Sequence, residues 1–82
     1  MNQYKHSMLE HYVGNGVLRI RLAFEEGNFE EVEEGRIRLI EKLRTIEDPR
    51  ARKCIEYLGE KLMISEDLDD FVDKYEQLKR QT

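Results

Sequence analysis

Residues 13–22 read VGNGVLRIRL, and the fold turns on whether they enter a strand or run through a helix. Asn15-Gly16 is a pair that favours a tight hairpin, and Leu18, Ile20 and Leu22 alternate with Arg19 and Arg21 as a half-buried strand would. A hairpin needs a partner strand, yet the upstream YKHSMLEHYV spaces Tyr4, Met8, Leu9 and Tyr12 as a helix does. No other segment reads as a strand, and two strands alone are marginal in water. Extended to Phe24, the same segment suits a helix, with Val17, Ile20 and Phe24 on one side and Leu18 and Leu22 beside them. Gly27 then stands just past its end as a C-terminal stop. We read the segment as helical, with Gly14-Asn15-Gly16 a break or kink between a short N-terminal helix and a second one. Apolar residues nearly all round that second helix make it central or interfacial.

Downstream, Asn28 with Glu31 three residues on has the spacing of a capping box. Phe29, Val32, Leu39, Leu43 and Ile46 then recur at helical steps, with Arg36 in the one gap, and the helix is expected to end near Glu47. Asp48-Pro49 suits an N-cap and first helical position, because the residue before a proline avoids the helical region. The stripe Ala51, Cys54, Ile55, Leu58, Leu62 follows, broadened by Met63 and Ile64, and Gly59 weakens that helix by about 1 kcal/mol without necessarily stopping it. Ser65 reads as the cap of a last helix, with Glu66 and Asp67 in its first turn and Lys79 and Arg80 in its last, matching the macrodipole. Its apolar face is Leu68, Phe71, Val72, Tyr75 and Leu78.

The sequence LAFEEGNFEEVEEG resembles the turn of a tetratricopeptide hairpin, but Ile20, Val32 and Leu39 stand where such repeats carry small residues for close helix contact. We take from it a local helical hairpin and nothing about peptide binding. RIRL at 19–22 and again at 36–39 is too short an echo to be a repeat.

With 82 residues the chain has room for one domain, 1–82, and a small core, a size at which a second copy often supplies missing burial. Charged and apolar residues each make up 39%, and Gly and Pro are few, which fits a folded helical protein better than a disordered one. A net charge of −4 argues against coating nucleic acid, since such affinity comes from clustered Lys and Arg. The single cysteine, Cys54, cannot form an internal disulfide. MNQYKHSM lacks an apolar signal core, and no stretch approaches the roughly 20 apolar residues of a membrane span, so a cytoplasmic location is expected.

Chemistry finds few footholds. His6 and Glu10 share a helix face, but His11 points away by roughly 140°, so no convergent metal site forms. Cys54 lies in an apolar stripe with no histidine near it in sequence to act as a base, and reads as a small buried hydrophobe. The cluster Arg50, Arg52 and Lys53 is a basic patch at a helix start, where cations oppose the dipole. It offers a contact for nucleic acid or an acidic surface. Glycine-rich phosphate loops, nucleophile signatures and paired Cys motifs are lacking, so no catalytic residue, cofactor or metal is expected.

SEDLDDFVDKYEQL, residues 65–78, resembles the helix signature of the small sporulation-control phosphatases, whose hallmark is Ser-Gln-Glu-Leu-Asp. Those proteins dephosphorylate aspartyl-phosphate response regulators. Ser65, Leu68 and Asp69 match, Glu66 and Asp67 replace the Gln and Glu, and Ile40-Glu41 and Arg44 stand where the family's first helix has an Ile-acid pair and an Arg. That family is a two-helix hairpin, whereas Pro49 falls here where its first helix would be continuous. The resemblance implies docking on a receiver domain through Ser65, Glu66, Asp67 and Asp69, and Tyr75 on the same helix joins this partner-binding set.

The sequence therefore predicts an all-α fold, a small antiparallel helical bundle of three long helices plus a short N-terminal helix. It predicts a non-enzymatic regulatory or adaptor protein that works through helix faces on another protein, with a homodimer interface at Val17, Ile20, Phe24, Leu58 and Leu62. The alternatives are a regulator or phosphatase of a phosphorylated receiver domain, and a nucleic-acid-associated regulator using residues 50–53.

Overall fold

The structure, a computed structural model, describes the backbone of residues 2–81 and the side chains of residues 8–81. Four helices follow one another, α1 (Asn2–Glu25), α2 (Phe29–Leu43), α3 (Pro49–Tyr57) and α4 (Ser65–Arg80), and no strand occurs among the described residues.

The segment that decided the fold is helical, but it contains no break. α1 runs for 24 residues straight through Gly14-Asn15-Gly16, so the expected short N-terminal helix and its successor are one element. Each helical glycine costs about 1 kcal/mol relative to alanine, and tertiary packing must offset that cost. Gly16 shows how. A Cβ placed on it would lie 2.8 Å from Cδ2 of Leu39, and one placed on Gly35 would lie 2.9 Å from Cγ1 of Ile20. Because residue 16 meets 39 and residue 20 meets 35, α1 and α2 run antiparallel. The close contact missing at Ile20 and Leu39 is thus present one turn earlier on each helix, at Gly16 and Gly35. Gly14 is exposed and has nothing within 4 Å of such a Cβ.

The turn between these helices is built from local chemistry. Gly27 adopts φ +69°, a region open to glycine, and donates to the Phe24 carbonyl at 3.0 Å while Asn28 donates to Ala23 at 2.9 Å. The Asn28 side chain then accepts from the Glu31 amide at 3.2 Å and starts α2 as expected. Val32, Arg36, Leu39 and Leu43 line its buried face. Phe29, expected in that stripe, is instead 64% exposed, because it begins the helix at the stripe's edge. α2 also ends earlier than expected, at Leu43. Thr45 and Ile46 continue as tight turns onto Lys42 and Leu43, which keeps Ile46 buried.

Asp48 caps α3, its carboxylate accepting from the Arg50 amide at 2.8 Å, with Pro49 in the first position. Contrary to expectation, α3 is short, nine residues, and stops before Gly59. The guanidinium of Arg36 donates to the Leu58 carbonyl, a group that a continuing helix would give to residue 62. Leu58 and Leu62 still reach the core, through the non-helical link that follows.

α4 is capped differently from the sequence reading. Its N-cap is Ile64, and Ser65 lies inside the helix with its hydroxyl donating to Glu66 at 2.8 Å. The capping acceptor is Asp67, whose Oδ2 takes the amides of Met63 at 2.8 Å and Ile64 at 3.0 Å. Leu68, Phe71 and Tyr75 are buried as expected.

α1 packs on α2 and α4, while α3 bridges α2 and α4. Ion pairs from Arg21 to Asp69 at 3.0 Å and from Lys79 to Glu10 at 3.3 Å join α1 to α4 across their exposed edges. No described helix is long and apolar enough to cross a membrane.

Candidate functional site

Most residues singled out from the sequence serve the fold. Ile20 and Leu58 are fully buried, Leu62 nearly so, and Val17 and Phe24 are half-buried against the same core. Ile20, Leu58 and Leu62, which fill one chain's interior, are not free to meet a second copy. On α4, Asp67 holds the helix start and Asp69 pairs with Arg21, while Glu66 accepts from Ser65. Tyr75 is 6% exposed, and its hydroxyl has no hydrogen-bond partner among the described residues. Burial pushes that hydroxyl up to about 12.

The basic cluster does not converge. Arg50 is drawn back onto its own cap, with Nη2 2.9 Å from Oδ2 of Asp48, and that hydrogen bond raises its pKa. Arg52 is exposed, and Lys53 lies 3.9 Å from Glu56. Cys54 is buried, and burial raises its thiol to about 11, the opposite of an activated nucleophile. His6 lies outside the described side chains. Glu10 pairs with Lys79, and His11 shares a contact of 3.1 Å with Asn15. Among the described residues no cluster of three or more His, Cys, Asp or Glu is placed to hold a metal ion.

What remains as surface is concentrated on the α1–α2 hairpin. Leu18 and Leu22, one turn apart on α1, are 60% and 51% exposed and flank a groove that also takes in Asn15, Arg19 and Glu31. On the outer side of α2, Phe29 and Ile37 stand exposed among Glu30, Glu33, Glu34 and Glu41. Between these two faces lies a cleft of about 190 Å³. Its floor is the glycine crossing, Gly16 and Gly35 with Leu39, and Tyr12 walls one side. His11, Asn15, Arg19, Arg38 and Lys42 edge it, and no carboxylate does. Glu31 and Glu34 sit just beyond, pairing with Arg19 at 3.2 Å and Arg38 at 2.8 Å. The Lys42 ammonium stands 5.3 Å from the centre of the Tyr12 ring. A cleft of this size is below the several hundred Å³ that a cofactor or drug-sized ligand needs, and suits a single side chain.

Met63 and Ile64, 68% and 54% exposed in the link before α4, form a separate small apolar spot.

Sequence reading missed the cleft, because neither glycine announces what lies across from it. A signal did exist in the parallel spacing Gly16-x-x-x-Ile20 and Gly35-x-x-x-Leu39, a small and a large residue one turn apart on two neighbouring helices. Comparison with protein-family models, with curated proteins and with solved structures gives no significant match.

Proposed function

We propose that this protein is a non-enzymatic regulatory or adaptor protein, acting by contact of its α1 helix face with another protein. The observation that carries this reading is the pair Leu18 and Leu22. They are large, apolar, one turn apart and more than half exposed on the longest helix of the molecule. Isolated exposed leucines need no explanation, but two aligned one turn apart on one helix face, lining one groove, make an apolar stripe of the kind that marks an interaction site. Around them Asn15, Arg19, Glu26 and Glu31 supply a polar rim, the usual frame of a helix-face contact.

The reading also accounts for what the other groups do. Asp67 and Arg50 serve helix caps, and Asp69 ties α4 to α1. The exposed leucines hold nothing in the protein's own fold.

A photo-crosslinking amino acid placed at Leu18, in the cells that make the protein, tests the reading. One discrete product with one protein is expected, and it should disappear when Leu22→Glu is added. Failure to form a discrete product, or one that survives Leu22→Glu unchanged, would overturn it.

A further inference from the structure

We infer that the partner seated on the face of Leu18 and Leu22 is a basic amphipathic helix, whose Lys or Arg side chains meet Glu25 and Glu26 while its apolar stripe lies on the two leucines. The inference rests on the adaptor reading of that face and adds the chemistry of what it binds. Leu18, Leu22 and Glu26 follow one another at steps of four, and Glu25 stands three after Leu22, so all four share one side of α1. The Glu26 amide still donates to the Leu22 carbonyl at 3.0 Å, which carries the helical register to that residue. Leu18, Leu22 and Glu26 line one groove of about 480 Å³, room for a row of side chains. The face therefore runs from apolar to anionic over two turns.

The anionic end of this face is not neutralised within the chain. Of the cations beside it on α1, Arg19 is taken by Glu31 at 3.2 Å and Arg21 by Asp69 at 3.0 Å. Among the described residues no cation pairs with Glu25 or Glu26, and both are exposed. Nor do these carboxylates serve the helix. They close its last turn, where free carbonyls make the helix end negative, a further anion is unfavourable and no basic residue offsets it. Glu30 and Glu66, by contrast, stand in the first turns of α2 and α4, where the same dipole favours them. Two unpaired carboxylates at the disfavoured end of a helix, next to two exposed leucines, complement a segment that is apolar and then cationic.

The same carboxylates repel phosphate, which sets nucleic acid and anionic lipid aside. A second copy does not supply the match either. Its cationic helix, α3, buries Ala51 and Cys54, while Arg50 is held by Asp48 and Lys53 lies 3.9 Å from Glu56. An amphipathic helix laid along a groove, with anchors one turn apart, is a recurring way for one protein to take up a segment of another.

The probe is a pair of synthetic helical peptides with the same leucine stripe, one with lysine on its polar face and the other with glutamate, titrated by fluorescence anisotropy. The lysine peptide is expected to bind, more weakly as salt is added, and the glutamate peptide not to bind. Glu25→Gln with Glu26→Gln is expected to weaken binding about fivefold or more, and Leu18→Ala with Leu22→Ala about tenfold or more. Glu41→Gln with Glu47→Gln, which removes as much charge from exposed sites at and beyond the far end of α2, is expected to change it by less than about twofold. Urea unfolding gives a second reading. The double change at Glu25 and Glu26 is expected to raise the midpoint, since both acids oppose the helix dipole. A lysine peptide that binds no better than the glutamate peptide, or that binds the Glu25 and Glu26 variant as well as the wild type, overturns the inference. So does a lowered midpoint, or a wild type that light scattering shows to dimerise through these same residues. If both peptides bind equally and the leucine changes abolish both, the basic character alone fails and the adaptor reading stands. A Leu18 crosslink that never forms a discrete product brings down the reading itself.

Discussion

Ile20 packs against the bare backbone of Gly35 so closely that a Cβ there would stand 2.9 Å from its Cγ1, and Leu39 packs the same way against Gly16. The consequence for substitution differs between the three helical glycines of the hairpin. Ile20 is fully buried and β-branched, so it has little room to turn aside. Gly35→Ala should therefore destabilise, by about 1–2 kcal/mol, once the helical gain of alanine is set against overpacking. At Gly16 the crowded atoms are the ends of a leucine, and the net effect should be smaller. Gly14, exposed with open space around it, should gain up to about 1 kcal/mol as alanine. Urea unfolding of the three variants gives the order; a stabilised Gly35→Ala would show that the helices are less tightly seated than described.

Asp67, and not Ser65, holds the start of α4 through the amides of Met63 and Ile64. Asp67→Ala should cost about 1 kcal/mol, in the range of lost helix caps. Ser65→Ala should stay within about 0.5 kcal/mol, as surface changes away from such features do. Equal losses at both positions, read from denaturation midpoints, would contradict this assignment.

Arg36 joins α2 to the end of α3. Its guanidinium is held by both carboxylate oxygens of Glu33, at 2.9 and 2.8 Å, and reaches the Leu58 carbonyl. Arg36→Met should cost about 1–3 kcal/mol, because that buried carbonyl loses its donor. Arg36→Lys should recover only part, lacking the fork that serves two acceptors at once. The Arg36 hydrogen bond lowers the Glu33 pKa below 4.5. Its contribution to stability is therefore present above pH 4.5 and is lost as pH falls through the lowered value. Glu33→Gln should make unfolding less acid-dependent in that window, and an unchanged acid limb would argue against the pair.

At the alkaline end, burial raises Cys54 from 9.0 to about 11. The folded protein keeps the thiol neutral where the unfolded chain ionises it. Stability is whole below pH 9 and falls as pH rises toward 11. Tyr75, raised from 10.0 to about 12, extends the loss upward. Cys54→Ala should be less stable at pH 7 yet show a shallower alkaline decline. A decline as steep as that of the wild type would place the cause elsewhere.

The parts of this fold that the sequence made legible are those decided within a few residues. Asn28 with Glu31, Asp48 with Pro49, and Gly27 all act on amides or carbonyls near them, so their roles follow from spacing. Arg36 was visible as the one polar member of a buried stripe. The glycines at 14 and 16 were not legible in the same way, since one is open and the other faces Leu39 across a turn. The role of Gly16 depends on a residue more than twenty positions away. The end of α3 was hidden for a like reason, because the bond that takes the Leu58 carbonyl comes from α2. Ser65 and Asp67 are both acceptors near a helix start, and the path of the preceding link selects between them. Of the surface, the apolar character around residues 17–24 was visible, but which of those residues face inward required the packed neighbours.

Nine residues is fewer than the roughly 12–15 at which an isolated helix becomes marginal in water. α3 therefore owes its existence to its neighbours, to the burial of Ala51, Cys54 and Leu58 and to the hold of Arg36. The α1–α2 hairpin makes its own close contacts through a three-residue turn and has no such dependence. α3 is therefore expected to open locally before the hairpin does. Since that opening uncovers the single thiol of the chain, the rate at which Cys54 is modified under native conditions is a clock for α3 alone.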